Sequence, residues 1–125
     1  MTDGVLVIDA GTSGVRAAVV GEDGSVSASV HRQALPSSPM EGFVEFDPVE
    51  LRDVAVAVAG EALERHGRPV TAVGITNQRA STVLWERASG LPVGPGVSWQ
   101  DLRTAGMCLL LQSDGLRLAP NASAT

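Results

Sequence analysis

The chain has 125 residues, of which 44% are hydrophobic, so its length and composition fit one globular domain with a core of Val, Ala and Leu. Its formal net charge is −5 and its nine basic residues are all scattered arginines, which excludes a basic surface for nucleic acid. One cysteine and two distant histidines exclude a disulfide framework and a Cys/His metal cluster, and no apolar stretch approaches membrane-spanning length. We therefore expect a cytoplasmic protein with no membrane or nucleic-acid partner.

Two predicted strands flank a short turn near the start of the chain. Residues 5–8 are an apolar run that ends on Asp9, and residues 15–20 are rich in valine. The turn Gly11-Thr12-Ser13-Gly14 offers successive backbone N–H groups and hydroxyls, a combination that binds anions. Because a carboxylate beside bound phosphate usually serves a divalent cation, segment 9–16 predicts a site for nucleotide phosphate and Mg²⁺. A plain hairpin turn beneath an exposed carboxylate is the alternative.

Two better-known phosphate loops do not fit this turn. A Walker A loop requires a lysine, and the chain contains none. A dinucleotide-binding fingerprint requires Gly-x-Gly-x-x-Gly at the start of a helix, whereas here Gly11-x-x-Gly14 precedes a strand-forming sequence. The turn is therefore of a different type.

The elements that follow predict an α/β domain. Residues 25–30 alternate between serine and apolar residues, which predicts a half-buried third strand and thus three consecutive antiparallel strands at the start of the chain. Asp47-Pro48 is a typical helix start, because Asp can cap and Pro suits the first helical position, and Gly67 ends that helix. The later elements are predicted as strands at residues 70–76 and 82–85, a loop at residues 87–96 and a helix from about 102 to 112.

Apolar spacing predicts which side chains enter the core. In the first helix, the apolar side chains fall on one face at helical spacing. The third strand and the second helix each have an apolar face as well. Trp85 and Cys108 are expected in the core because apolar neighbours surround both. The residues expected to be buried on these three elements are Leu51, Val54, Ala55, Val58 and Ala62; Val26, Ala28 and Val30; and Leu102, Ala105 and Leu109.

A second cluster of polar residues lies downstream. Asn77-Gln78-Arg79 ends the fourth predicted strand, and Trp99 and Asp101 follow a Gly/Pro-rich loop. Guanidinium and amide groups form hydrogen bonds with polar ligand groups, and an aromatic ring packs its face on C–H groups, so these residues are candidates for ligand contact. Arg79 offers a planar fork of N–H donors, and Trp99 offers the face. Asp101 and Arg103 could instead pair with each other or cap the following helix.

Taken together, these segments resemble the FGGY carbohydrate kinases, and within them the glycerol-kinase branch. The resemblance covers essentially the whole chain and implies a ribonuclease-H-like α/β fold, that of the actin, hexokinase and sugar-kinase superfamily. It also implies that residues 1–125 are the N-terminal portion of the first kinase domain and inactive alone, with the second, ATP-binding domain and the general-base aspartate beyond residue 125. The motifs that carry it are Asp9-x-Gly11-Thr12, Glu45-x-Asp47-Pro48, Ile75-Thr76-Asn77-Gln78-Arg79, Thr82-Val83-Leu84-Trp85 and Trp99-Gln100-Asp101-x-Arg103-Thr104.

The family resemblance implies an activity and a role for each site residue. The full-length enzyme would phosphorylate a hydroxyl of a polyol or sugar with ATP and Mg²⁺, and Asp9 would hold the metal directly or through water. A non-catalytic sugar- or nucleotide-binding member of the superfamily is the alternative, and a homodimer or larger homo-oligomer is left open. The nucleotide phosphates would contact Gly11, Thr12, Ser13 and Arg16, and the polyol or sugar would contact Gln78, Arg79, Trp99 and Asp101.

One position departs from the glycerol-kinase pattern. That branch has a glutamate after its arginine, whereas here Arg79 is followed by Ala80. An aliphatic side chain cannot accept a hydrogen bond from a substrate hydroxyl, and losing one buried partner weakens recognition by about 1–3 kcal/mol. We therefore expect an acceptor other than glycerol.

Overall fold

The structure, a computed structural model, describes residues 4–118 and has the predicted α/β composition. The described chain divides into two compact units, the first formed by residues 4–35 and 49–77 and the second by residues 36–48 and 78–118. None of the described helices is long and apolar enough to cross a membrane. The elements are β1 (Gly4–Ala10), β2 (Gly14–Val20), β3 (Val26–Gln33), β4 (Glu45–Phe46), α1 (Pro48–His66), β5 (Val70–Asn77), β6 (Gly96–Val97) and α2 (Ala105–Ser113).

A four-stranded sheet in the order β3-β2-β1-β5 forms the frame of the first unit. The strands β1, β2 and β3 are consecutive and antiparallel, as short turns between them require. The strand β5 returns through α1 and pairs with β1 in parallel, which is the geometry of a β-α-β crossover. The three-stranded antiparallel start and the helix before the fourth strand are therefore confirmed.

The core of the first unit lies between α1 and one face of this sheet. Val58 and Ala62 of α1 are fully buried, as are Val15 and Ala17 of β2. Leu51, Val54 and Ala55 are partly buried and pack against the same cluster, so the predicted inner face of the helix is confirmed. This packing stabilises the unit mainly through the burial of small aliphatic side chains.

The third strand departs from the predicted alternation. Ala17 pairs with Val30, but Val19 pairs with Ser27, so the register shifts between them. Such a bulge breaks the two-residue period, because extra residues on one strand face fewer on its partner. Ala28 carries the irregularity with a φ of 52°. Val30 is buried as predicted, whereas the prediction that Val26 is buried on the same face is wrong.

The second unit contains little regular strand. The strands β4 and β6 pair over two residues each, and the predicted strand at 82–85 is wrong, since only Thr82 and Trp85 form isolated bridges. The returning segment at residues 90–96 contains prolines, which cannot donate a backbone hydrogen bond and so interrupt a ladder. The two-residue β6 lies at the end of what the sequence predicted to be a loop.

Several apolar side chains of the described residues lie on the surface. The helix α2 buries none of its residues, so the core positions predicted for Leu102, Ala105 and Leu109 are wrong. Trp85 is likewise exposed, against expectation, and Cys108 is half-buried. On β5, Ile75 is 72% exposed although its register partner Ile8 packs against the core. No described segment covers these apolar side chains.

We predict that residues 1–125, expressed alone, self-associate. Burying an exposed leucine side chain is worth about 1.5–3 kcal/mol, and α2 presents Leu109 and Leu110 side by side on the surface. Leu110→Lys should lower the average particle mass seen by light scattering. Gln112→Lys is the matched control in the same helix, because it adds the same charge without removing apolar surface. A monodisperse monomer with a sharp cooperative melt would contradict this prediction.

Candidate functional site

The first group of candidate residues lies where β1 passes into β2. Asp9 is directly opposite Arg16 in the antiparallel ladder, and both side chains are exposed. Neither side chain forms a hydrogen bond or ion pair with another residue in the range 4–118. A carboxylate and a guanidinium thus lie on one face of the sheet, each able to take a ligand.

The turn between the two strands is closed by its own backbone. The Gly11 N–H donates to the Gly14 carbonyl at 2.9 Å, and the Ala34 N–H donates to the Ser13 carbonyl at 3.2 Å. The Gly11 N–H is therefore occupied in forming the turn, whereas sequence reasoning assigned it to a phosphate. Thr12 is half-buried and Ser13 is exposed, so both hydroxyls lie at the tip of the turn.

In the second unit, a chain of hydrogen bonds connects two of the predicted substrate residues. The Trp99 backbone N–H donates to the Ser81 hydroxyl oxygen at 3.1 Å, and the Ser81 hydroxyl donates to Gln78 Oε1 at 3.1 Å. Paired hydrogen bonds between the Thr82 and Val97 backbones, both 2.9 Å, hold the same two segments together. The turn at residues 78–81 is thereby placed against the segment that carries Trp99.

Ser81 is the site residue that sequence reasoning missed. It lies between the motif that ends at Arg79 and the motif that begins at Thr82, but its sequence position gives no sign that its hydroxyl connects Gln78 to Trp99. A short polar residue next to a predicted ligand-binding turn is the one available signal. Turn-forming serines are common, so that signal does not distinguish a connecting serine from an ordinary one.

Arg79 and Ala80 occupy the exposed corner of this turn. The Arg79 guanidinium forms no hydrogen bond or ion pair with any other described residue, so its donors are available to a ligand. Ala80 has a φ of 58°, a left-handed conformation that costs a non-glycine residue about 1–2 kcal/mol. The hydrogen-bonded turn thus holds the backbone beside Arg79 in an unfavourable conformation.

Asp101 differs from Arg79 because its side-chain polar atoms are occupied by hydrogen bonds within the protein. The carboxylate is buried and accepts from Arg103 Nε and Nη2, both at 2.8 Å, and from the Arg103 N–H at 2.9 Å. The Val44 N–H donates to it at 2.6 Å. Arg103 also donates to Glu45 at 2.7 Å, and its guanidinium lies 4.1 Å from the centre of the Phe43 ring. We call these residues the Asp101–Arg103–Glu45 cluster.

The cluster changes the ionisation of both main partners. The hydrogen bonds from Arg103 lower the pKa of the Asp101 carboxyl from 3.8 to about 2, and the bond from the Val44 N–H acts in the same direction. The carboxylates of Asp101 and Glu45 raise the pKa of the Arg103 guanidinium further above its ordinary value. The pairing of Asp101 with Arg103, one of the two sequence-based alternatives, is therefore present in the structure.

Comparison with known protein sequences gives one consistent family. The profile described as the FGGY family of carbohydrate kinases, N-terminal domain, matches residues 4–121. The chain is 42% identical over 114 residues to a glycerol kinase of Afipia carboxidovorans and 37% identical over 111 residues to one of Gloeobacter violaceus. Each alignment covers 89% of this chain but only 23% and 22% of the two relatives, so the chain spans less than a quarter of their length.

Solved structures show the same fold. A xylulose kinase from Rhodospirillum rubrum matches with a TM-score of 0.81 at 28% identity, over 89% of this chain and 23% of that protein. A Plasmodium falciparum glycerol kinase, solved with ADP, matches with a TM-score of 0.83 at 22% identity, over 90% of this chain and 23% of that protein. The predicted fold class and the predicted family resemblance are confirmed.

The depressed pKa of Asp101 predicts how stability depends on pH. Because the folded carboxyl titrates below its unfolded counterpart, its contribution is complete above about pH 4 and is lost as the pH falls toward 2. Asp101→Asn should destabilise the protein by about 2–3 kcal/mol at pH 7, since Asn cannot accept the same charged hydrogen bonds. Thermal unfolding of both proteins should show this difference shrinking between pH 4 and pH 2.

The control for this experiment is Asp53→Asn. Asp53 is exposed, and its ion-pair partner among the described residues is its neighbour Arg52 on the surface, where ion pairs contribute little. This variant should unfold like the wild type at every pH. A difference between wild type and Asp101→Asn that stays constant from pH 7 to pH 2 would contradict the role of the ionised carboxylate.

Proposed function

The chain belongs to the FGGY family of carbohydrate kinases, and we propose that the protein containing it transfers the γ-phosphoryl group of ATP to a hydroxyl of a polyol or sugar. The observation that carries the proposal is that two exposed guanidiniums form no hydrogen bond or ion pair with other described residues. They are Arg16 beside the phosphate-type turn and Arg79 at the corner of the polyol-type turn. Residues 1–125 would form the N-terminal portion of the first domain.

On the nucleotide side, the positions of Arg16 and of the turn residues support a specific role for each of them. Arg16 would stabilise negative charge on the transferring phosphoryl group, because its guanidinium carries no internal ion pair among the described residues. Thr12 and Ser13 would donate hydrogen bonds to phosphate oxygens from the tip of the turn. Gly11 would serve the site by closing the turn, since its N–H donates to Gly14.

A magnesium ion fits the residues at this turn. The described residues contain no cluster of three or more His, Cys, Asp or Glu side chains that could hold a metal, so a site made only of protein ligands is absent from this range. Mg²⁺ at phosphate sites usually keeps several waters and takes one or two carboxylates, which a single exposed Asp9 satisfies. Such an ion, when bound, would neutralise phosphate charge.

On the acceptor side, Arg79 and Trp99 would orient the substrate. Arg79 would donate hydrogen bonds to substrate hydroxyls, and the half-buried Trp99 ring would pack on C–H groups. Gln78 would contribute from the same turn, which Ser81 connects to the Trp99 backbone. Because Asp101 already accepts four hydrogen bonds, we assign it the positioning of the Trp99 segment.

The reaction itself is a displacement at phosphorus. The acceptor oxygen forms a bond to the γ-phosphorus as the bond from that phosphorus to the ADP oxygen breaks, and the hydroxyl proton passes to a general base. That base is expected beyond residue 125. The residues described here supply orientation and charge stabilisation, which account for most of the catalysis of phosphoryl transfer.

The full-length protein should lose turnover when Asp9 is changed to Asn. The substitution removes the anionic oxygen beside the phosphate-type turn but leaves the acceptor residues in place, so kcat should fall on the order of a hundredfold. The KM for the acceptor should stay within about twofold, because neither Arg79 nor Trp99 is altered. Steady-state kinetics across Mg²⁺ concentrations would measure both quantities. Glu22→Gln, an exposed position after β2, is the control, and wild-type turnover in Asp9→Asn would remove this carboxylate from the site.

Ala80 should influence the choice of acceptor. Rates of ADP release over a panel of polyols and sugars should place another acceptor ahead of glycerol, because Ala80 offers no hydrogen-bond acceptor. Ala80→Glu should raise the relative kcat/KM for glycerol by about tenfold, whereas Ala80→Met, of similar length but without an acceptor, should not. Glycerol as the clearly preferred substrate of the wild type would make this prediction wrong. Binding of a polyol without any phosphorylation would favour the non-catalytic alternative.

A further inference from the structure

A row of polar residues crosses the sheet of the first unit near the Gly11–Gly14 turn. In the strand register, Arg16 lies opposite Asp9 of β1 on one side and opposite His31 of β3 on the other. Asp9 in turn lies opposite Thr76 of β5. Side chains of paired residues lie on the same face of a sheet. Ala17, the next residue of β2, is buried in the core beneath α1. The polar row therefore lies on the opposite face, which α1 leaves open, and His31 is part of it.

The His31 imidazole reaches from this row to the turn itself. A Cβ atom at Gly14 would lie 2.7 Å from His31 Nε2 and 2.6 Å from the Arg32 carbonyl oxygen, both closer than real Cβ contacts allow. A side chain at this position is therefore excluded, and the imidazole occupies the space beside the last residue of the turn. His31 Nε2 thus lies at the end of the Gly11–Gly14 turn, where Gly11 N–H donates to the Gly14 carbonyl.

Nothing else among the described residues uses this imidazole. His31 is exposed, and it forms no hydrogen bond or ion pair within residues 4–118. The chain's other histidine is in a different situation. His66, the last residue of α1, lies close to Gly4 at the opposite end of β1, and its Nε2 is buried. Only His31 presents an accessible imidazole at the turn.

We propose that His31 donates a hydrogen bond from Nε2 to a phosphate oxygen of the nucleotide, next to the contact made by Arg16. The inference rests on the proposed function in one respect, since it takes the Gly11–Gly14 turn as the site of the nucleotide phosphates. Hydrogen bonds to an anionic oxygen are about twice as strong as those between neutral groups, so a single N–H at this position contributes measurably to affinity. His31 is thereby a nucleotide-binding residue supplied by β3, outside the motif of β1 and β2.

Two substitutions in the full-length protein test this assignment. His31→Leu keeps a similar volume without a donor, and it should raise the KM for ATP roughly tenfold while the acceptor KM stays within about twofold. His31→Gln places an amide N–H near the position of Nε2, and it should keep the KM for ATP within about threefold of wild type. Calorimetric titration with ADP and with adenosine should show that His31→Leu weakens ADP binding and leaves adenosine binding unchanged.

Ser29→Ala is the matched control, because Ser29 is exposed on the same strand two residues before His31. An unchanged KM for ATP in His31→Leu, or an equal loss of ADP and adenosine binding, would overturn the assignment. The outcome for the proposed function is read separately, from whether the wild type phosphorylates any acceptor. A wild type that binds ADP in a His31-dependent way but transfers no phosphoryl group would refute the kinase proposal and keep the His31 assignment.

Discussion

The position of β1 between β2 and β5 is the constraint on which the first unit depends. The strand β1 carries Asp9 and is hydrogen-bonded to a strand on each side. Its register with β2 places Arg16 opposite Asp9, and its register with β5 places Thr76 opposite Asp9 on the other side. Its parallel pairing with β5 ends at Ala10 and Asn77, so both strands end at the edge of the sheet that carries the phosphate-type turn. Successive side chains along a strand point to opposite faces of the sheet. A slip of one residue in the register would therefore bury these polar groups beneath α1.

In the second unit, the ion pair between the buried Asp101 carboxylate and the more exposed Arg103 guanidinium replaces the regular sheet as the organising feature. The two-residue ladder of β4 and β6 gives few backbone hydrogen bonds, whereas Asp101 alone accepts from the Val44 N–H and from Arg103. Removing Arg103 from this pair would be costly because the Asp101 charge would stay buried without compensation. The cluster therefore holds the Phe43–Glu45 segment to the residues after Trp99, and it explains why Asp101 acts through its neighbours.

Arg16 and Arg79 of the candidate sites differ from Arg103 of the cluster in what their guanidiniums contact. Arg103 donates hydrogen bonds to Asp101 and Glu45, while Arg16 and Arg79 form no hydrogen bond or ion pair with the other described residues. A planar guanidinium with uncommitted donors suits phosphate or hydroxyl recognition. The residue type alone does not tell whether an arginine binds a ligand or forms an internal ion pair. The separation depends on whether a carboxylate lies within hydrogen-bond distance in the folded chain.

The sequence by itself determined the elements whose signal is local. Asp47-Pro48 and Gly67 predicted α1 to within a residue at each end, and its apolar spacing predicted the buried face with Val58 and Ala62. The motif around Asp9 predicted both strands and the turn between them, because strand propensity and glycine position are properties of a few adjacent residues.

Only the tertiary structure decided the rest, because those features depend on partners that are distant in sequence. The bulge at Ala28, the occupation of Asp101 by Arg103 and Val44, and the link from Gln78 through Ser81 to Trp99 involve contacts between separate segments. The exposure of α2 has the same origin, since apolar spacing marks a face able to be buried but does not supply the surface that buries it. The approach of His31 to Gly14 depends on the register between β2 and β3, which no local pattern encodes.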